Sequence, residues 1–174
     1  MPDDAQPQLR PTTISAEPPG GNGLSGAIGG FAATVPMTAA MVTMHAVLPA
    51  REQYPLPPNP ITHGILPRMG IPERMVAAFD PLPTLAAHFG FGGFAGAGYP
   101  AWRRSWPRAG RAQAGISYGL LVWALSYLGW VPAARLLPPA SRHPRRRVLL
   151  MLAAHVVWGY VTALAAERGG RRHG

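Results

Sequence analysis

Four stretches of this chain, residues 24–48, 82–101, 114–137 and 148–166, are long, apolar and free of charge except for Arg135 near the end of the third. Blocks of this kind leave few folds open. A helix rises about 1.5 Å per residue, so about 20 apolar residues cross the ~30 Å of hydrocarbon in a bilayer. Backbone in lipid must satisfy its own hydrogen bonds, as a helix or a closed barrel. The apolar residues run in continuous blocks rather than at a period of 2 or 3.6, the pattern of membrane spans and not of a soluble core. The expected fold is all-α: a polytopic integral membrane protein with four transmembrane helices in a compact bundle. Composition points the same way, with charged residues at 13% where soluble domains carry about 25%.

Between and around the blocks the chain changes character. Residues 1–22 are polar and proline-rich without periodicity, which predicts a disordered tail, too long and too acidic for the start of a signal peptide. Residues 168–174 form a basic C-terminal tail. The loop 50–81 is long for a bundle connection. Its prolines preclude one long helix, but Asn59-Pro60 suits an N-cap and first helical position. Ile61, Ile65 and Leu66, then Met75, Val76 and Phe79, predict two short interfacial helices. Pro36 should kink the first span, with Thr34 or a neighbour helping to satisfy the freed carbonyl. The second block is rich in glycine, which lowers helix propensity. Small residues recur every fourth position at Gly26, Gly30, Thr34 and Thr38, at Gly92 and Gly96, and at Gly115 and Gly119; such stripes let helices approach closely in lipid. Tyr99, Trp102, Trp106 and Trp130 mark span exits as interfacial anchors. Arginines divide evenly between the side bearing both termini (side A) and the opposite side (side B), so the positive-inside rule gives a tie. The unsignalled N-terminal tail favours cytoplasmic termini.

Several function classes fall away. With no Cys, disulfides, thiolate metal sites and Cys nucleophiles are excluded. All 16 basic residues are Arg, so no Walker lysine exists. The G-x-G-x-x-G in GGNGLSG (Gly21, Gly23, Gly26) lies between a proline-rich tail and a span, not between a strand and a helix, so it is no dinucleotide site. H-E-x-x-H, G-x-S-x-G and paired intramembrane carboxylates are absent; Glu167, at the exit of the fourth span, is expected to snorkel or to pair with Arg168. The net charge of +9 does not mark a nucleic-acid groove, because the arginines crowd the ends of apolar blocks, where snorkelling anchors belong. No catalytic residues emerge, and the chain reads as a non-enzyme.

The histidines carry more. LAAHFGFGG and LAAHVVWGY place His88 and His155 in the second and fourth blocks, each with glycine four residues on. Two crossings separate these spans, so they run in the same direction, and both rings fall roughly 10 Å below side B, with His45 about 5 Å deep. Ionisable residues at such depth usually face the bundle interior or a wet cavity. His45, His88 and His155 therefore form the candidate intramembrane site. Three readings stay open for it: neutral interhelical hydrogen bonding, a proton-linked or small-solute pathway, and ligation of haem or a metal ion by His88 and His155.

The segments GAIGGFAATVPMTAAM, REQYPLPPNPIT and the repeated A-H-x-x-x-G resemble small uncharacterised bacterial inner-membrane proteins of the YagU-like group. Those are helical membrane proteins with a PLPP-type loop after the first span and a G-H or A-H opening in a later one. Position by position the likeness reaches Pro55, Leu56, Pro57, Pro58, His88 and His155, while Asn59 stands where the group carries arginine. It implies the architecture and a bacterial inner-membrane location, and no mechanism. The expected function is that of a non-enzymatic structural or accessory membrane component. Its contact surface would be the loop residues Pro55, Pro57, Pro58, Asn59, Thr62 and His63 together with the small-residue stripes, and its partners the lipid bilayer, a second copy or another membrane protein. The alternative is a His-centred proton, metal or haem site in a small transporter or redox subunit.

Overall fold

The structure is a computed structural model and describes residues 21–53 and 55–170. The tail expected over residues 1–22 therefore lies almost wholly outside the described residues, as does most of the basic C-terminal tail. Every regular element among the described residues is helical. Three helices are long and apolar enough to cross a membrane: Gly23–Ala46, Arg111–Ala133 and Arg145–Gly169. Their outer faces are apolar too. Leu24, Ile28, Phe31, Val35 and Val42 all stand exposed on the first, a patch that water would not tolerate on a monomer.

Helix α1 (Gly23–Ala46) begins at a capping box. The Asn22 side chain accepts from the Ser25 backbone N–H at 2.8 Å, and Ser25 Oγ accepts from the Asn22 N–H at 3.0 Å. This satisfies two of the donors that a helix start leaves orphaned, and it explains GGNGLSG as a cap rather than a phosphate loop. The helix continues through Pro36. Thr34 Oγ1 donates to the Gly30 carbonyl at 2.9 Å and Thr38 Oγ1 to the Thr34 carbonyl at 2.7 Å. The carbonyl that Pro36 frees belongs to Ala32, so Thr34 serves a different one from that expected.

The loop folds into α2 (Pro58–Ile65) and α3 (Glu73–Phe79). Pro57, not Asn59, holds the N-cap position of α2; Asn59 Nδ2 instead donates to Asp80 Oδ2 at 3.1 Å. The second expected span is divided. Helix α4 (Leu82–Gly96) has 15 residues, about 22 Å long at 1.5 Å per residue, and α5 (Tyr99–Ser105) follows after a break at Ala97–Gly98. Glycine and the Gly98-Tyr99-Pro100 run weaken the helix there, since Pro100 supplies no N–H to continue the ladder. Helix α6 (Arg111–Ala124) passes into a π-helical segment, Leu125–Trp130, where Gly129 leaves helical geometry (φ −108°, ψ −107°), and then into α7 (Val131–Ala133). The last helix, α8 (Arg145–Gly170), spans 26 residues.

Close approaches at glycine fix the packing. A Cβ on Gly26 or Gly30 would collide with the Gly96 or Gly92 carbonyl of α4, and one on Gly115 or Gly119 with the Gly159 or His155 carbonyl of α8. Gly29 faces Thr162 and Ala166, and the Trp158 indole donates to the Gly30 carbonyl at 2.9 Å. Residue order in these pairs makes α1 antiparallel to both α4 and α8, and α6 antiparallel to α8. The helices stand in the spatial order α4, α1, α8, α6, and α4 and α6 share little contact. Helices α1 and α6 start at the same end of the bundle, and between them α4 with α5 runs back along α1.

Candidate functional site

Side A is closed by charge as well as by packing. Glu167 is the sole acidic residue beyond Asp80. Its Oε1 accepts from Tyr99 Oη at 2.9 Å and from Arg103 Nε at 3.2 Å, and Arg111 lies 4.0 Å from Oε2. Arg103 also donates to the Trp106 carbonyl at 2.6 Å. Its partner is thus the arginine of α5, not the neighbouring Arg168. Arg103 is buried, and a charge in that position persists only when paired and hydrogen-bonded. Tyr118 completes this end by donating from α6 to the Ala95 carbonyl of α4 at 2.5 Å.

Toward side B the helices part around a cavity of about 250 Å³. Thr34, Met37 and Met41 line it from one face of α1, and His88 and Phe91 from α4. Ser126, Tyr127 and Trp130 reach it from the π-helical segment, where one extra residue in the turn re-aims side chains. Met151, His155 and Trp158 complete the wall from α8. Its roof is α2, through Ile61, Thr62 and Ile65. None of the lining residues is charged.

The two histidines of the repeated motif meet on this cavity, and the glycine four residues after each explains why. Gly92 and Gly159 are the points where α4 touches α1 and α8 touches α6. One turn nearer side B comes His88 or His155; the His155 carbonyl still lies against Gly119 of α6, while both imidazole rings line the cavity. The two rings are differently held. His155 is buried, its Nδ1 lies 2.8 Å from the Met151 carbonyl, and its ring meets Tyr127 edge-on at 6.0 Å. That bond requires Nδ1–H, so the neutral ring carries its lone pair on Nε2. His88 is half-buried and its Nε2 has no hydrogen-bond partner. A buried polar atom without a partner is uncommon and costly.

His45 sits in the last turn of α1 and does not line the cavity. Among the described residues no three His, Asp or Glu side chains converge as a metal cluster, so a metal or haem at this site would rest on His88 and His155. Of the loop residues, Pro57 and Thr62 are buried, and Pro58 and Thr62 face the cavity. Pro55 is exposed, and its carbonyl accepts from Arg147 at 2.9 Å. Asn59 and His63 turn to Asp80, the latter at 3.5 Å. The PLPPNPIT segment is thus largely a roof, pinned at its start by an arginine of α8 and further on by Arg68, which donates to the Ala134 carbonyl at 2.7 Å. On the side-B rim His143 contacts the Pro138 carbonyl at 3.1 Å. Burial and then the neighbouring Arg147 hold its pKa below the usual 6.5, against an opposing pull from that backbone bond.

Ser126, Tyr127 and Trp158 are site residues that sequence reasoning missed, and Thr62, expected on the loop surface, lines the cavity instead. A signal existed only for Trp158, which lies three residues beyond His155 and so on the same helix face. No curated protein and no solved structure matches the chain. Residues 37–164, more than half of it, match the family described as Protein of unknown function (DUF1440), and the chain belongs to that family.

Proposed function

We propose that this is a four-crossing membrane protein that binds a small, mainly apolar molecule in the cavity between His88 and His155. The observation that carries the reading is the unpartnered His88 Nε2 beside an uncharged cavity of about 250 Å³. An apolar cavity with a few convergent polar groups is the usual form of a small-molecule site. The fourth crossing is α4 with α5. Its support is topological, because the chain returns to side A along α1 before α6 begins. The YagU-like resemblance supports placement in a bacterial inner membrane.

The lining holds no carboxylate, and we read its role as binding or passage. A structural or accessory role through the loop is the weaker reading, because Pro57 and Thr62 face inward. The haem, metal and proton readings draw on the same two rings. An absorption spectrum, a metal assay and native mass spectrometry of protein extracted with its lipids separate these possibilities. A co-purified organic molecule that His88→Ala releases supports the reading. A Soret band or stoichiometric metal moves the assignment to a cofactor site, and an empty cavity in every preparation overturns ligand binding.

A further inference from the structure

We propose that the cavity is loaded sideways from the bilayer, between α4 and α6, with Phe91 and Trp130 as the gate. The ligand class that follows is a membrane-dissolved molecule with a hydroxyl head on a slim apolar body, such as a long-chain phenol. This rests on the reading of the cavity as a binding site.

The walls differ in how they are closed. Helices α1 and α8 pack on each other, α4 on α1 and α6 on α8, which leaves α4 and α6 as the two edges of the arrangement. Near side A the gap between those edges is sewn by the Tyr118 bond to Ala95. Farther along it, the rings of Phe91 and Trp130 meet across it with centroids 6.0 Å apart and planes tilted by 46°. Both rings line the cavity, and neither is enclosed: Phe91 is 39% and Trp130 38% exposed. A lining side chain that stays this exposed marks a rim. Phe91 lies nine residues into α4, about 14 Å from its side-B end, and Trp130 lies within the span Arg111–Ala133, three residues before its end.

The aqueous route is held more firmly. The roof α2 is tied by Arg147 to the Pro55 carbonyl, by Arg68 to the Ala134 carbonyl and by Asn59 to Asp80. Hydrogen bonds from charged groups are stronger than the dispersion contact of one ring pair. Trp130 also ends the π-helical segment, next to the non-helical Gly129, so its ring sits where the backbone has already left the regular ladder. Once past Phe91, a head group meets His88 on the next turn, and a hydroxyl can pair with Nε2 in either tautomer. The uncharged lining rejects ions, and Met37, Met41 and Met151 adapt to an apolar body of variable shape.

The absence of cysteine allows a clean test on the full chain in phosphatidylcholine nanodiscs. Phe91→Cys/Trp130→Cys is bridged by a short bifunctional thiol reagent, and Asn59→Cys/Asp80→Cys is bridged in the same way to pin the roof. The probe is a tritiated long-chain alkylphenol bearing a photoreactive diazirine. Bridging the gate before the probe is added should cut labelling about tenfold, whereas bridging after loading should retain it; bridging the roof should change it less than about twofold. Phe91→Ala, which opens the gate without a reagent, should load several-fold faster. A block by the roof bridge and none by the gate bridge means entry from water and overturns the proposal. If wild-type protein takes up no probe by any route while native mass spectrometry still finds a bound molecule, the ligand class is wrong and the binding reading stands. If both are negative, binding itself falls.

Discussion

Toward side A the helices close on one another at glycine and around one buried carboxylate; toward side B they part around a cavity. The same words of sequence serve both halves. In LAAHFGFGG and LAAHVVWGY the glycine belongs to the tight half and the histidine ring to the hollow one. The contrast shows how a small membrane protein keeps a cavity open. Without a hydrophobic drive between helices in lipid, space at one end is maintained by backbone contact and ion pairing at the other.

Four experiments break or sharpen that contrast, in falling order of effect. Gly159→Leu strikes the tight half, because even a Cβ there would meet the Gly115 carbonyl and the Gly119 Cα. Overpacking at a backbone contact should cost about 3 kcal/mol or more, read as loss of monodisperse protein in detergent or a collapsed unfolding midpoint. Glu167→Gln removes the carboxylate from the buried Arg103 and should cost about 2 kcal/mol in reversible unfolding. Adding Arg103→Met should recover part of the loss, since it removes the buried charge left without its partner. In the hollow half, His155→Ala should cost about 1 kcal/mol through the lost Met151 bond, whereas His88→Ala, which breaks no such bond, should cost less than about 0.5 kcal/mol. The reverse order in the same unfolding assay would mean that His88 is the structural ring.

The smallest effect concerns pH. The folded pKa of His143 is lowered from 6.5, so its contribution to stability is fully present above about 6.5 and fades as pH falls through the folded value, where the unfolded chain takes up the proton more readily. Unfolding midpoints measured from pH 7.5 to 5 should decline slightly, and His143→Gln should flatten the decline.

Three of the four expected spans were legible from local composition, and the 1.5 Å rise put His88 and His155 at one level, where both line the cavity. The stripes at Gly26, Gly30, Gly92, Gly96, Gly115 and Gly119 were legible for a related reason, since helical spacing puts them on one face. The break at Ala97–Gly98 was not, because a glycine-rich span and a broken one share a composition. Arg103 as the partner of Glu167 lay 64 positions away, while Arg168 was adjacent, and spacing alone favours the neighbour. The inward turn of Thr62 depends on how α2 lies on the bundle, which no local pattern encodes. Ser126 and Tyr127 reach the cavity because of the π-helical turn, which no periodicity in LSYLGW announces.

That turn also sets the phase of everything that follows it. Each residue of an α-helix advances about 100° around the axis, so deleting one residue from Leu125–Trp130 would let the helix run on regularly while rotating Trp130 and Val131 by roughly that angle. The chain could still span and still fold, with its gate swung out of alignment with Phe91. The protein's most consequential length is therefore not that of a span but that of a single six-residue turn.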